Sequence, residues 1–319
     1  MKKWFITAGV LVALGIIIFV SAMASFGWDF TRINTVGYVS NTHVIDEVFE
    51  NILIDTDTAY ISFVSSDDGV CRVECYENEN VKHSVGVSEE TLNINVIDER
   101  KWYEYISISF ESPKITVYLP ENEYASLVIS DDTGSVEIPK DFKFESLDIT
   151  ASTGSIKNYA SVTKDAEIKT STGSIYTEGA SFGTLELSAS TGHITAKDII
   201  CDGDVKVNVS TGKTELKNVT CDSLLSQGST GDITLKEVIS KGKLHIERST
   251  GDIELDRCDG EELFIKTSTG DVEGSLITDK IFTISTDTGD VDVPKTMTGG
   301  KCEIETHTGD IEIKISNKQ

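Results

Sequence analysis

The second half of the chain carries a Thr-Gly pair that recurs ten times at almost constant spacing. Successive glycines lie 19 or 20 residues apart, which identifies an internal repeat. A unit of this length cannot bury an apolar face alone and must stack against its neighbours. The ten repeat glycines, which number coils one to ten below, are Gly134, Gly154, Gly173, Gly192, Gly212, Gly231, Gly251, Gly270, Gly289 and Gly309.

Apolar and polar residues alternate on both sides of each glycine. In the fourth copy, Leu185 and Leu187 precede the glycine by seven and five residues, and Ile194 follows it by two. Alternation of this kind predicts a strand, a tight turn and a second strand with one buried face. The period is too short for a propeller blade, and the leucine-rich-repeat pattern is absent. We therefore predict an all-β, single-stranded β-solenoid (β-helix) of about ten 19–20-residue coils; antiparallel hairpins are the alternative.

The turn at each glycine has its own pattern. Because glycine is present in all ten copies, we expect a backbone conformation with positive φ. The preceding threonine has the same parity as the buried positions, so we predict that it points inward and bonds to the turn backbone. An outward Thr-x-Thr array would instead be typical of ice-binding faces. The Thr-x-Thr pairs are Thr170/Thr172, Thr267/Thr269, Thr286/Thr288 and Thr306/Thr308.

The N-terminus has two lysines followed by an apolar run from Trp4 to about Ala24. That length matches the roughly 20 residues of a bilayer-spanning helix, and the lysines would keep the start of the chain in the cytoplasm. The small-residue pattern at 22–24 also fits a cleavage site, so a removed signal peptide is the alternative to the favoured single-pass membrane anchor. The predicted segments are 1–28, anchor or signal; 29–125, irregular β cap continuous with the solenoid; and 126–319, solenoid of Thr-Gly repeats.

Residues 30–125 lack the repeat and are predicted to form short strands separated by turns. At the opposite end, Lys314 and Lys318 lie on the last coil, where their charge would discourage end-to-end strand addition. The predicted strands of the N-terminal segment are 51–56, 60–66, 70–76, 91–97, 105–110 and 115–120.

The stretch ITVYLPENEYASLVISDDTGSVEIP at 115–139 is followed by Ser-Thr-Gly-(Ser/Asp)-(Ile/Val) repeats. With the apolar N-terminus, it resembles the bacterial "putative adhesin" or toastrack domain, a domain of unknown function found in LiaG-like membrane-anchored envelope proteins. The resemblance covers roughly residues 40–315. It implies a right-handed β-solenoid displayed at the membrane and linked with envelope-stress systems, and it supplies no catalytic residues.

The formal net charge is −25, which argues against nucleic acid and against anionic lipid headgroups as partners. Cations or basic proteins fit this charge better. The sequence has no Gly-x-Ser-x-Gly elbow, phosphate loop or His-Glu-x-x-His motif. We therefore expect a chain that is not an enzyme.

Acidic residues follow the glycine from the sixth copy onward, whereas earlier copies have Ser, His or Lys there. Stacked coils would align the carboxylates in columns about 4.8 Å apart. Such columns suggest a calcium-binding stripe, with an ordinary solvated acidic face or a Lys/Arg-rich partner as alternatives. The candidate cation ligands are Asp252, Asp271, Asp290, Asp310, Glu254 and Glu273.

Cysteines and histidines give weaker signals. Cys201 and Cys221 each lie nine residues after a repeat glycine, so we expect them to be stacked neighbours, either bridged or as free thiols. The five histidines are predicted to be scattered on the surface rather than to form a metal site. No other cofactor is indicated.

Together these features favour a membrane-anchored extracellular binding or scaffold module, in envelope-stress sensing or surface adhesion. Its expected partners are the membrane, through the N-terminal helix, and an envelope protein or cell-wall polymer. The alternatives are a carbohydrate-active β-helix enzyme and a cation-dependent adhesion module. An enzyme would need a carboxylate pair that departs locally from the repeat, and no such departure is evident.

Overall fold

The computed structural model describes residues 2–25, 27–28, 37–102 and 111–316. The chain starts with a single helix, α1 (Lys2–Ser25). The segment Trp4–Ser25 is long and apolar enough to cross a membrane, and its residues are exposed except for Met23, which is buried. An N-terminal helix of this kind also fits a signal sequence, so length and composition leave both interpretations open.

Within the described residues, seven strands precede the repeats. Five of them coincide with predicted strands, whereas the first and the fifth were not predicted; the predicted strand at 105–110 lies outside the described residues. The seven strands are β1 (Tyr38–Ile45), β2 (Asn51–Thr58), β3 (Tyr60–Ser65), β4 (Cys71–Asn78), β5 (Val81–Ser88), β6 (Thr91–Asp98) and β7 (Lys114–Leu119).

Each repeat contributes one strand before its glycine and one after it. The strands before the glycines are β8 (Glu123–Thr133), β10 (Lys143–Thr153), β12 (Ser161–Thr172), β14 (Ser181–Thr191), β16 (Val205–Thr211), β18 (Leu224–Thr230), β20 (Lys243–Thr250), β22 (Glu262–Lys266), β24 (Lys280–Thr288) and β26 (Gly300–Thr308). The strands after them are β9 (Val136–Ile138), β11 (Ile156–Asn158), β13 (Ile175–Glu178), β15 (Ile194–Cys201), β17 (Thr214–Cys221), β19 (Ile233–Ser240), β21 (Ile253–Cys258), β23 (Val272–Leu276), β25 (Val291–Asp292) and β27 (Ile311–Ile315).

Neighbouring coils pair in parallel and in register. Leu147, for example, lies between Leu127 of the preceding coil and Ala166 of the following one, and all three are buried. Parallel pairing between equivalent positions is the arrangement of a solenoid, so the β-solenoid of about ten coils is confirmed and the alternative of antiparallel hairpins is wrong. The apolar positions on both sides of the glycines form its continuous core.

The N-terminal strands extend the stack. β2 and β3 pair in parallel with β8 and β9, so they form an additional coil ahead of coil one. β1, β4 and β7 pair antiparallel, and β5 and β6 form an antiparallel pair at the side of β2. This segment therefore covers the first face of the solenoid while adding its own hairpins.

The last two coils stack in the reverse of their chain order. β26 pairs with β22 on one side and with β24 on the other, so coil ten lies between coils eight and nine. Coil nine is consequently the end of the stack, and its inward residues Phe282 and Ile284 are only half-buried. Pro294 follows the two-residue β25 and has no N–H to continue a ladder, which suits an end position.

This order corrects the prediction that charge on the last coil protects the end of the rod. Lys314 is on β27, which pairs with β23 and β25 and is therefore inside the stack. Lys318 lies outside the described residues.

The repeat threonines point outward, contrary to prediction. All ten are exposed, whereas the residue two positions earlier is buried in eight of the ten coils. The alternation breaks at the corner, where the two residues before each glycine both face solvent. The repeat threonines therefore form one outward-facing column along the solenoid. Thr58 of the additional coil extends this column.

The glycines allow the coils to stack closely at this corner. Nine of the ten have φ between 123° and 150°, and Gly134 is the exception. A Cβ on Gly270 would overlap the carbonyl oxygen of Gly251 in the coil below. Both the dihedral angle and the close approach therefore select glycine.

Candidate functional site

The aspartates that follow the glycines form a ladder along the solenoid axis. One carboxylate oxygen of each accepts a hydrogen bond from the backbone N–H of the aspartate in the next coil. Asp252 Oδ1 accepts from the Asp271 N–H at 2.9 Å, Asp271 Oδ1 from Asp310 at 2.8 Å, and Asp310 Oδ1 from Asp290 at 2.7 Å. The ladder begins at Asp232, whose Oδ1 accepts from the Asp252 N–H at 3.1 Å.

The same position accepts hydrogen bonds in earlier coils through other side chains. The N–H of Ser155 donates to Ser135 Oγ at 3.3 Å, and that of Lys213 donates to His193 Nδ1 at 3.1 Å. An acceptor here therefore has a structural role at several coils. The negative charge of the later coils is an addition to that role, since serine and histidine make the contact without it.

A second acidic column runs beside the ladder. Glu273 lies in register with Glu254 on one side and with Glu312 on the other, and Glu312 lies in register with Asp292. All four side chains are exposed. Lys314 forms an ion pair with Glu312. We call the two columns the acidic face; it comprises Asp232, Asp252, Asp271, Asp310, Asp290, Glu254, Glu273, Glu312 and Asp292.

The six predicted cation ligands are thus on one face, but not in chain order. Asp310 separates Asp271 from Asp290, because coil ten lies between coils eight and nine. Beside the glutamate column is an open cavity of about 320 Å³, lined by Glu254, Glu273 and Glu312 and widened where Gly274 has no side chain. The face can present several carboxylates to one cationic group.

The predicted stacking pair of cysteines are buried free thiols. Cys201 and Cys221 are two of six free cysteines, all of them buried. Burial raises the pKa of Cys201 to about 11 and that of Cys221 to about 12. Both thiols therefore stay protonated near neutral pH and react slowly.

A buried polar cluster lies in the N-terminal hairpin of β4 and β5. His83 is 6% exposed and Glu77 is 1% exposed. His83 Nδ1 lies 2.8 Å from Glu77 Oε2, and Nε2 lies 2.9 Å from Thr56 Oγ1. Cys75 is fully buried, and its sulfur lies within 4.8 Å of ligand atoms of both Glu77 and His83. The prediction of a surface histidine is therefore wrong for His83.

A sequence signal for this cluster existed but was weak. Cys75 and Glu77 are two residues apart and so share one strand face, and the turn-forming pair at 79–80 leads into the strand of His83. Finding the cluster required β5, which was not predicted.

Three solved structures match most of this chain at low sequence identity. A "putative adhesin" from Parabacteroides distasonis ATCC 8503 has a TM-score of 0.44 and 13% identity, covering 86% of this chain and 98% of that one. A "putative adhesin" from Bacteroides fragilis NCTC 9343 has a TM-score of 0.36 and 14% identity, covering 87% and 97%. A "putative lipid binding protein" from P. distasonis has a TM-score of 0.38 and 14% identity, covering 90% and 98%.

No curated protein matches the chain. A family model does match, and it covers residues 49–208 and 183–319, which include the additional coil and all ten repeat coils. The chain belongs to the Toastrack DUF4097 family.

Proposed function

We propose that this protein is a non-catalytic binding module, anchored by α1 with its solenoid outside the cytoplasmic membrane, and that the acidic face docks a Lys/Arg-rich segment of an envelope protein. The observation that carries the proposal is the continuous, exposed acidic face. One column of this face, the glutamate column, consists of Glu254, Glu273, Glu312 and Asp292 in register over four coils. It runs beside the aspartate ladder in a chain of net charge −25.

The geometry supports a protein partner with several positive charges. Carboxylates in register repeat about every 4.8 Å along the axis, so an extended cationic segment can meet several of them. Within the described residues, Lys314 is the one basic side chain that forms an ion pair with a glutamate of this column. Exposed charges of one sign raise association rates with oppositely charged partners, and salt weakens the attraction.

The biological setting is part of the proposal. A rod displayed at the membrane and carrying a docking face suits envelope-stress sensing or surface adhesion, because either role needs a partner recognised outside the cell. Calcium is the competing occupant of the acidic face, since hard oxygen ligands suit it. The six residues proposed for that site are Asp252, Asp271, Asp290, Asp310, Glu254 and Glu273.

The test combines a chemical probe with capture in cells. Full-length protein in detergent is titrated with poly-L-lysine by calorimetry at low and high salt, with and without calcium. The wild type should bind, and binding should weaken as salt rises. The triple variant Glu254→Gln/Glu273→Gln/Glu312→Gln should lose most of the affinity. Photo-crosslinking from the acidic face in intact cells should then yield a basic envelope protein.

A control variant removes three charges elsewhere. Glu145→Gln/Glu167→Gln/Glu186→Gln neutralises half-buried glutamates, ion-paired with Lys164, Lys169 and Lys206, on the strands before the glycines of coils two to four. It should bind poly-L-lysine like the wild type. If both triple variants lost the same affinity for poly-L-lysine, binding would depend on net charge alone, and the proposed docking face would be overturned. Cation-dependent adhesion would be favoured if the acidic-face variant alone lost the heat of calcium binding and its affinity for poly-L-lysine did not change.

A further inference from the structure

We propose that Cys75, Glu77 and His83 form a binding site for a divalent transition metal, with Zn²⁺ as the preferred ion. The site is independent of the acidic face and lies in the N-terminal hairpin. Its one-residue and five-residue spacers place all three ligands on β4 and β5.

The donor atoms already converge. One ligand atom from each of the three side chains lies within 4.8 Å of the others, and the three residues are buried. Cys75 and Glu77 project from the same face of β4 because they are two residues apart. His83 is brought opposite them by the tight connection between Asn78 and Val81, which are paired in the hairpin.

The surroundings orient the ligands as outer-shell groups do in metal sites. Asn41 Nδ2 donates to Glu77 Oε1 at 2.7 Å, which leaves Oε2 directed at the imidazole. The backbone N–H of His83 donates to that same Oε2 at 2.7 Å. With Nδ1 on the metal, Nε2 carries the ring proton, and Thr56 Oγ1 at 2.9 Å accepts it.

The charges balance when the metal binds. Metal takes the place of the proton on His83 Nδ1, that proton is transferred by way of solvent to Nε2 so that the imidazole stays neutral, and the thiol proton of Cys75 is released to solvent. A thiolate and a carboxylate then offset the two positive charges of the ion. A buried site with no net charge avoids the large desolvation cost of an isolated ion.

The donor set selects the class of metal. A thiolate and an imidazole favour borderline-soft ions such as Zn²⁺ over calcium or magnesium, which take oxygen ligands. Three protein ligands leave a fourth position for water or substrate. An open cavity of about 250 Å³ lined by Thr56 and His83 lies next to the imidazole of the site.

The test uses the full-length protein in detergent, stripped with a chelator and titrated with Co²⁺. One equivalent should bind and give the near-ultraviolet thiolate-to-cobalt absorption, and Zn²⁺ should displace it. Cys75→Ala should abolish that absorption. Cys71→Ala, which removes another buried thiol four residues earlier on the same strand, should retain it. Glu77→Gln, nearly isosteric, should weaken binding by about tenfold or more.

The outcomes are decisive without relying on one variant. Absence of stoichiometric Co²⁺ or Zn²⁺ binding by folded wild type would overturn the proposal. So would a thiolate absorption that survives in Cys75→Ala, or one lost equally in Cys71→Ala. If Cys75→Ala does not fold, the Glu77→Gln variant decides the question. An unchanged cobalt affinity in folded Glu77→Gln would overturn the proposed site. Poly-L-lysine binding should be unaffected in all of these variants.

Discussion

The guanidinium of Arg248 occupies the space beside Gly228 inside the solenoid, one coil away in register. Arg248 is 3% exposed, and its Nη1 donates to the Val209 carbonyl at 2.8 Å while Nη2 donates to Thr214 Oγ1 at 2.7 Å. Its Nε has no hydrogen-bond partner among the described residues. A charged side chain therefore crosses the core where the sequence has a glycine and a threonine in place of apolar residues.

Gly228→Ala should destabilise the protein, because its Cβ would overlap both Arg248 and the Val209 carbonyl. The expected loss is about 1–3 kcal/mol, the usual cost of overpacking. Combining it with Arg248→Met should recover part of the loss, since the guanidinium is then gone. Thermal and denaturant midpoints of the two single variants and the double variant check this. Strictly additive losses would show that the two sites do not interact.

The carboxyl group of Asp131 should make stability depend on pH. It is 2% exposed, and burial raises its pKa from 3.8 to about 7, although the Thr133 and Ala59 N–H groups oppose the rise. Neither oxygen has a hydrogen-bond partner of normal geometry among the described residues. Since the folded state holds the proton more tightly than the unfolded state, stability should fall as pH rises from about 4 to about 7.

Asp131→Asn should remove this dependence. The variant should match the wild type near pH 4 and exceed it at pH 8, by an amount on the order of 4 kcal/mol for a shift of this size. The measurement is the denaturation midpoint between pH 4 and pH 8. Asp132→Asn, at the exposed neighbouring position, is the control and should follow the wild type. A wild-type stability that rises between pH 4 and pH 7, with Asp131→Asn unchanged, would contradict the assignment.

The repeat predicted the solenoid because three positions per coil are apolar and their spacing is constant. It predicted the direction of Thr153 wrongly, because the inward–outward alternation fails next to the glycine turn, where Ser152 and Thr153 are both exposed. The reversed order of coils nine and ten could not be read from the sequence. Equivalent repeats offer equivalent faces, so Ile304 packs equally well beside Ile265 or Ile284. The burial of His83 was not predicted, because its strand β5 belongs to no repeat.

The aspartate ladder should depend on an acceptor rather than on charge. Asp271→Asn keeps a carbonyl oxygen for the Asp310 N–H and relieves repulsion between neighbouring carboxylates, so its stability should equal or exceed that of the wild type. Asp271→Ala removes the acceptor and should be less stable than Asp271→Asn by about 0.5–1.5 kcal/mol. Thermal midpoints at low and high salt separate the two effects. Identical midpoints for the Asn and Ala variants would remove the structural role of this hydrogen bond.

The end of the solenoid should be coil nine rather than the last coil in the sequence. In Gly289→Ala and Gly309→Ala, the new Cβ overlaps a carbonyl oxygen of a stacked coil, and both glycines have φ near 150°. Coil nine has one neighbour and can detach alone, so the cost of Gly289→Ala is limited to the local stability of that coil. Coil ten is held between two coils, so Gly309→Ala should lower the global unfolding midpoint by much more.

Hydrogen exchange gives an independent test of the stacking order of coils nine and ten. Amides of β24 should exchange faster than those of β26, although β26 is nearer the C-terminus. Gly86→Ala is the control, because nothing lies within 4 Å of its Cβ, and it should leave the midpoint nearly unchanged. Slower exchange in β24 than in β26, together with a larger loss for Gly289→Ala, would place coil ten at the end. Coil nine would then be an internal coil, and a strand from another chain could not add to it.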